Sequence, residues 1–316
     1  HPLKSRAKMP LRRFLKKIIP NNLDGQLQKY TDHPNPYLRI FPGHIDAGSQ
    51  LRESIDWKGL AIKSPYIIFI TGRCGSTLLT TLISETRLAG SPQEFLNFDA
   101  ASRLNDSIKA QTVTAYLHHL ASSKSFGGFF GFEIDWTQLR FFAPLVDFDK
   151  LFPSDTTKSL YMTRRDIVSQ AWSFATAKKT GLWHKKTSEL WTDAHRQLPV
   201  LCDDDIWSEI FLILDAEKQL EYFFQAHDIH PMRFDYEGLI SDKRAVVGEV
   251  LLHIGCDIPS IVAKTSQPAE RLEKLGNINY ENFLAFKRKY ADLLLEVDNL
   301  RGSDWSSIKR SLIMFR

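Results

Sequence analysis

From residue 64 to residue 82 the chain reads Ser64-Pro65-Tyr66-Ile67-Ile68-Phe69-Ile70-Thr71-Gly72-Arg73-Cys74-Gly75-Ser76-Thr77-Leu78-Leu79-Thr80-Thr81-Leu82. An apolar strand, a Gly/Ser/Thr turn and an amphipathic helix follow one another directly. A helix N-terminus presents unpaired backbone N–H groups and about half a positive charge, and a glycine-rich turn lets an anion come close to them. Arg73 adds a cation inside the turn. A nucleoside-triphosphatase loop would read G-x-x-x-x-G-K-[ST], with a Lys for the β- and γ-phosphates and a hydroxyl for magnesium. Here the spacing is G-x-x-G-S-T with no Lys before the hydroxyls, which suits one 5′-phosphate and its substituent better than a magnesium-bound triphosphate. By itself such a turn reads equally well as an ordinary strand-to-helix connection.

Two further groups bear on that choice. Downstream, Pro92-Gln93-Glu94-Phe95 places a lone carboxylate beside apolar side chains, a setting that raises a pKa and lets the group take a proton from a hydroxyl. Read alone, Glu94 is as readily a solvated loop acid. Beyond a second strand signal at Ser159–Thr163, the run Arg164-Arg165-Asp166-Ile167-Val168-Ser169-Gln170-Ala171-Trp172-Ser173-Phe174 opens a helix. Ser169 and Ser173 are four residues apart and share a face, so Arg164 with a helix-borne hydroxyl makes a second phosphate site. A surface Arg pair with Asp166 as N-cap fits the same residues.

With R-x-G-S-T-L-L, P-Q-E-F and R-R-D-x-V-S-Q-A-x-S-F in that order, the chain resembles the sulfotransferases that use 3′-phosphoadenosine 5′-phosphosulfate, and among them the bacterial trehalose 2-sulfotransferase-like family acting on carbohydrates and glycolipids. The resemblance spans roughly Pro65 to Lys289 and is densest in the three motifs. It implies that Arg73, Cys74, Gly75, Ser76, Thr77 and Leu78 hold the 5′-phosphosulfate, and that Glu94 is the general base. It further implies that Arg164 with Ser169 or Ser173 holds the 3′-phosphate, the choice of serine staying open. Arg271-Leu272-Glu273-Lys274-Leu275-Gly276 resembles the C-terminal basic segment that folds over the nucleotide, which adds Lys274 and Arg271.

The acceptor side is less defined. Gln93 and Phe95 flank the base, and Gly131-Phe132-Glu133-Ile134-Asp135-Trp136 stands where the family reads Gly-x-Lys-x-x-Trp, so Glu133 replaces a Lys and puts trehalose itself in question. Trp136, and Trp183 with His184 in a loop, are candidates for stacking on a sugar and bonding to it; an exposed loop His reads equally well. A carbohydrate or glycolipid acceptor is the expectation. Two other classes remain beside it: a phosphotransferase with a degenerate loop, and a silent basic membrane-surface module.

The elements that must position these groups alternate. Helices are expected at Thr77–Leu88, at about Ser102–Ser122, at Gln138–Asp149, at about Asp205–His227, around Val246–Ile254 and at Tyr280–Asn299, with a strand at Pro231–Phe234. The pattern predicts an α/β fold of P-loop-like type, a three-layer sandwich whose central parallel sheet is flanked by helices and carries its ligands at the strand carboxyl ends. Residues 1–50 read as a basic N-terminal extension and residues 51–316 as the catalytic domain.

Composition sets the surroundings. A chain of 316 residues with 43% hydrophobic content can bury a full core, and no apolar run reaches the length of a membrane span. Cys74, Cys202 and Cys256 lack metal-like spacing and suit a reducing cytoplasm, and Cys74 reads as a packing residue rather than a nucleophile. No metal is expected. Residues 1–20 hold seven cations and no acid against a net charge of +4, interleaved with Leu11, Phe14, Leu15, Ile18 and Ile19. That segment fits peripheral contact with an anionic membrane, and equally a solvated tail. No nucleic-acid partner is indicated, and a homodimer is left open.

Overall fold

Four parallel strands, β1 (Ser64–Ile70), β2 (Phe129–Asp135), β3 (Lys158–Thr163) and β4 (Met232–Asp235), lie in the order β2-β1-β3-β4, the first two rich in β-branched and aromatic residues. The computed structural model describes residues 35–46, 54–181, 183, 199–257 and 277–302. All seven residues of β1 are buried, as a strand covered on both faces must be. Its last residue, Ile70, pairs with Asp135 of β2 on one side and Met162 of β3 on the other, while Thr163 pairs with Asp235 of β4. The register therefore brings the ends of all four strands to one edge.

The chain divides into two compact units, one of His33–Asp166 with Ala216–Ala269 and one of His1–Asp32, Ile167–Asp215 and Glu270–Arg316. The first holds the sheet. Alternation along the strands sends Ile67, Phe69, Phe130, Phe132, Ile134 and Tyr161 to one face, in a core with residues of helices α2 (Phe98–Ile108) and α3 (Val113–Lys124). Tyr66, Ile68, Ile70, Leu160 and Met162 face the other way, onto α1 (Ser76–Thr86) and α8 (Lys243–Ile254). The result is the expected α/β sandwich of three layers.

In the second unit α5 (Ile167–Thr180), the start of α6 (Asp203–Ala226), α9 (Asn277–Lys289) and α10 (Ala291–Gly302) contribute Trp172, Ile206, Trp207, Ile210, Phe286 and Val297 to a separate core. Lys178 bonds to both Glu209 oxygens, at 2.9 and 2.8 Å, and Lys179 to Asp205 at 2.6 Å. Three aspartates in the first turn of α6 suit the positive end of its dipole.

Three expected helices are each divided, two of them by local contacts. The stretch around Ser102–Ser122 splits into α2 and α3 because Asn105 closes the end of α2 through Ala110, at 3.0 and 2.8 Å, and Thr112 caps the next helix through Ala115 N–H. The Gln138–Asp149 stretch becomes α4 (Trp136–Phe142), a 3₁₀ turn at Ala143–Leu145 carrying Pro144, and a one-turn helix Phe148–Leu151 capped by Asp147. The terminal stretch breaks at Tyr290, whose hydroxyl donates to Asp203 at 2.8 Å. Among the described residues no helix is long and apolar enough to cross a membrane. The basic segment 1–20 lies outside them, as does most of the expected extension.

Gly131 on β2 lies under the ring of its register partner Tyr66, whose Cε2 and Cζ would stand 2.1 Å from any Cβ placed there. The Tyr66 hydroxyl is anchored by donating to the Ala89 carbonyl at 2.7 Å, so the ring cannot move aside cheaply. Gly131→Ala is expected to cost about 1–3 kcal/mol by overpacking, read as a lower denaturant midpoint; an unchanged midpoint would show that the ring yields.

Candidate functional site

The loop after β1 sits where the strand order reverses, between neighbours β2 and β3, the usual place for a ligand in an open parallel sheet. Arg73 (φ 65°) and Gly75 (φ 96°) are left-handed, which turns the chain sharply into α1. Gly75 is the N-cap and offers no side chain, so no side-chain cap occupies the start of α1. Arg73 is half-buried, and burial and the nearby charge of Arg164 both lower its pKa. The guanidinium of Arg164 is thus near enough to disfavour the charge on Arg73. Cys74 is fully buried in the same loop and its thiol is pushed up to about 12 by burial and Glu133, as a packing role requires. Ser76 is half-buried and Thr77 exposed at the helix start, while Leu78 packs against the core.

The spacing between Arg164 and the loop is set by a segment that the motif reading did not include. Tyr236 at the head of α7 (Tyr236–Ser241) lies directly on Gly75, where an added Cβ would meet its ring at 2.3 Å. The guanidinium of Arg164 stacks on that ring, 4.7 Å from its centroid. Next to it, Glu237 accepts from the backbone N–H groups of Arg165 and Asp166 at 2.9 and 3.1 Å, and Asp235 pairs with Arg165 Nε at 3.1 Å. The Arg pair thus divides: Arg165 is exposed and met by two carboxylates, and Arg164 turns to Tyr236. The available signal was position, since Asp235-Tyr236-Glu237 follows a parallel strand at its carboxyl end. Ser169 and Ser173 lie on α5 in the helical unit, Ser169 half-buried and Ser173 buried.

On the other side of β1 the charges are negative. The loop carrying Glu94 runs along β2, with the Glu133 N–H donating to the Gln93 carbonyl at 3.0 Å. Burial, then Asp135 and Glu133, push the Glu94 carboxyl up to about 8, against a hydrogen bond from Gln138 that lowers it. Gln138 Nε2 donates to Glu94 Oε1 at 2.9 Å. Asp135 caps α4, accepting from Gln138 N–H at 2.8 Å, and burial lifts its carboxyl to about 6. Gln138 closes the box by accepting from Asp135 N–H at 3.4 Å. A D-x-x-Q capping box was legible in Asp135-Trp136-Thr137-Gln138 as a helix start, but not its reach to Glu94.

Among the acceptor candidates, Gln93 is exposed and Trp136 half-buried. Phe95 instead belongs to the core, stacked at 6.2 Å on Phe130, and its carbonyl accepts from the Tyr116 hydroxyl at 2.9 Å. Glu133, expected near an acceptor, points to the α1 side of the sheet: it is 5% exposed and hydrogen-bonded by the hydroxyls of Ser76 and Thr80, with burial raising its pKa. The reason is strand alternation, which sends 133 to the opposite face from Phe132 and Ile134. Trp183 is exposed and meets Phe174 edge-on at 5.9 Å. His184, Arg271 and Lys274 lie outside the described residues. Among the described residues no group of three or more His, Cys, Asp or Glu side chains could hold a metal ion.

A match to the family described as Stf0 sulphotransferase spans residues 65–285. The chain is 27% identical over 254 residues to a protein named trehalose 2-sulfotransferase from Mycobacterium tuberculosis, an overlap covering 67% of this chain and 90% of that one. A second protein of that name, from Mycolicibacterium smegmatis, is 24% identical over 232 residues, covering 61% of this chain and 84% of its own.

The raised carboxyl makes a prediction independent of any ligand. Glu94 binds its proton more tightly folded, with a pKa of about 8, than at its ordinary value of 4.5, so its share of stability is complete below 4.5 and is lost as pH rises through 8. Glu94→Gln keeps an oxygen for Gln138 and cannot ionise. Its melting temperature is expected to match the parent near pH 5 and to exceed it increasingly toward pH 9; parallel pH curves would contradict the burial of this group.

Proposed function

Because the chain belongs to the Stf0 sulphotransferase family, we propose that it moves a sulfuryl group from 3′-phosphoadenosine 5′-phosphosulfate to a hydroxyl of a carbohydrate or glycolipid acceptor, with Glu94 as general base. The observation that carries this reading is a division of charge along one sheet edge. A cationic loop with Arg73 and Arg164 stands at the β1–β3 end, and a proton-holding carboxyl, Glu94, at the β2 end.

The chemistry asks for little more. The acceptor oxygen attacks sulfur, the bond from sulfur to the bridging phosphate oxygen breaks, and its electron pair leaves with the adenosine bisphosphate. The hydroxyl proton passes to Glu94. Charge on the sulfuryl and departing phosphate oxygens is met by Arg73, the backbone N–H groups at the start of α1 and the Thr77 hydroxyl, and Arg164 is the cation assigned to the 3′-phosphate. Cys74, Gly75 and Leu78 act by shaping the loop. Ser76 has a second task, since its hydroxyl also serves Glu133. That placement directs the Glu133 charge at the donor loop, so the Lys-to-Glu departure does not argue against trehalose, the first acceptor to test given the relatives' name.

Glu94→Gln is expected to lower kcat by about 10²–10⁴-fold while leaving the affinity for adenosine 3′,5′-bisphosphate intact in calorimetry run with and without magnesium. Since kcat/KM reports the free enzyme, the parent profile should climb with pH through about 8 and the variant should lack that limb. Undiminished turnover in the variant would remove Glu94 from the role. Nucleotide binding that requires magnesium would overturn the donor assignment.

A further inference from the structure

The carboxamide of Gln138 is 3% exposed and has two duties, both visible in its hydrogen bonds. Its Oε1 accepts from the Asp135 backbone N–H at 3.4 Å, and its Nε2 donates to Glu94 Oε1 at 2.9 Å. The orientation of the amide follows from the network itself. A backbone N–H can only donate, so the carbonyl end must face Asp135, and the NH₂ end must face Glu94. The side chain is placed by the capping box at the head of α4, where Asp135 Oδ1 accepts from the Gln138 backbone N–H at 2.8 Å. Backbone hydrogen bonds of a helix start thus hold the far end of a side chain against a carboxyl 44 residues away in the chain.

We propose that Gln138 is a positioning residue of this site: it occupies Glu94 Oε1 with a permanent donor and leaves Oε2 as the atom that exchanges a proton with the acceptor hydroxyl. The proposal rests on the reading of Glu94 as the base. A donor fixed on Oε1 disfavours a proton there, because an N–H bonds more weakly to a hydroxyl oxygen than to a carbonyl or carboxylate one, so the proton is exchanged chiefly at Oε2. The hydrogen bond also favours the ionised form, in opposition to the groups that disfavour it. Those facing Glu94 are Asp135 and Glu133 at the end of β2, and the Tyr37 hydroxyl, itself bonded to the Leu96 carbonyl. Arg140 on α4 bears on Asp135. Gln138 is therefore the counterweight that keeps Glu94 within reach of ionisation.

Two variants separate this role from helix capping. Gln138→Leu removes the donor and the cap partner together. Gln138→Glu retains a residue that completes a capping box at this position but sets a carboxyl against Glu94. The titration of Glu94 is read directly, by infrared difference against Glu94→Gln, and needs no acceptor; turnover of trehalose with the sulfated donor, as a function of pH, is the second readout. Gln138→Leu is expected to raise the Glu94 midpoint by about one to two pH units, the worth of a hydrogen bond to a charged group, and to move the alkaline limb of kcat/KM with it. Gln138→Glu is expected to shift it in the same direction. Affinity for adenosine 3′,5′-bisphosphate should stay as in the parent. A midpoint unmoved in both variants, with their thermal unfolding still cooperative, would overturn the proposal. If Glu94→Gln kept full turnover while Gln138→Leu moved the midpoint, the base reading alone would fall and the hold of Gln138 on Glu94 would stand.

Discussion

Pairing of β1 on both its edges, in one fixed parallel register, is the constraint from which the site follows. Ile70 is matched to Asp135 and to Met162, and that match decides which residues leave the sheet together. Because side chains alternate, a slip of one residue in β2 would exchange its faces. Phe130 and Phe132 would be driven toward α1, and Glu133 would be driven into an aromatic cluster, away from the Ser76 and Thr80 hydroxyls that hold it. Gly131 fixes the same register sterically, since only a residue without a Cβ fits beneath Tyr66. Packing of the core and placement of charge are thus one decision.

With the strand ends aligned, charge segregates by strand. Arg73 and Arg164 follow β1 and β3, while Glu94, Glu133 and Asp135 gather at β2. Burial makes the charged forms of Arg73 and of the three acids costly, which is why Arg73 is lowered and the acids are raised.

Local chemistry made much of this legible in the amino-acid sequence. The strand-turn-helix at 64–82 carries its own signals in an apolar run, two glycines and hydroxyls, and the structure keeps them in order. The αβ alternation, the parallel sheet and the membership of a sulfotransferase family follow from comparably local features. What escaped depends on side-chain contacts that the apolar pattern does not encode, most of them between distant residues. Nothing near Asn105 announces that its side chain will end a helix by bonding to Ala110, and a stripe of apolar residues continues across that break. Glu133 could not be given a face without the register of β2. Tyr236 acts on Gly75 and Arg164 only because β4 ends beside β3, and Gln138 reaches Glu94 across 44 positions. Spacing along a chain encodes helix faces and turns; it does not encode which strand ends will be neighbours.

The thiol in the loop between β1 and α1 carries a last consequence. With Cys74 fully buried and shifted to about 12, practically none of it is thiolate at neutral pH, and peroxides or alkylating agents have no nucleophile to find there. Cys256 is buried too and pushed up to about 11, whereas Cys202 is exposed ahead of α6. Oxidative stress should therefore leave the loop between β1 and α1 chemically silent, and a fluorophore delivered by maleimide would settle on Cys202, a natural handle that spares it.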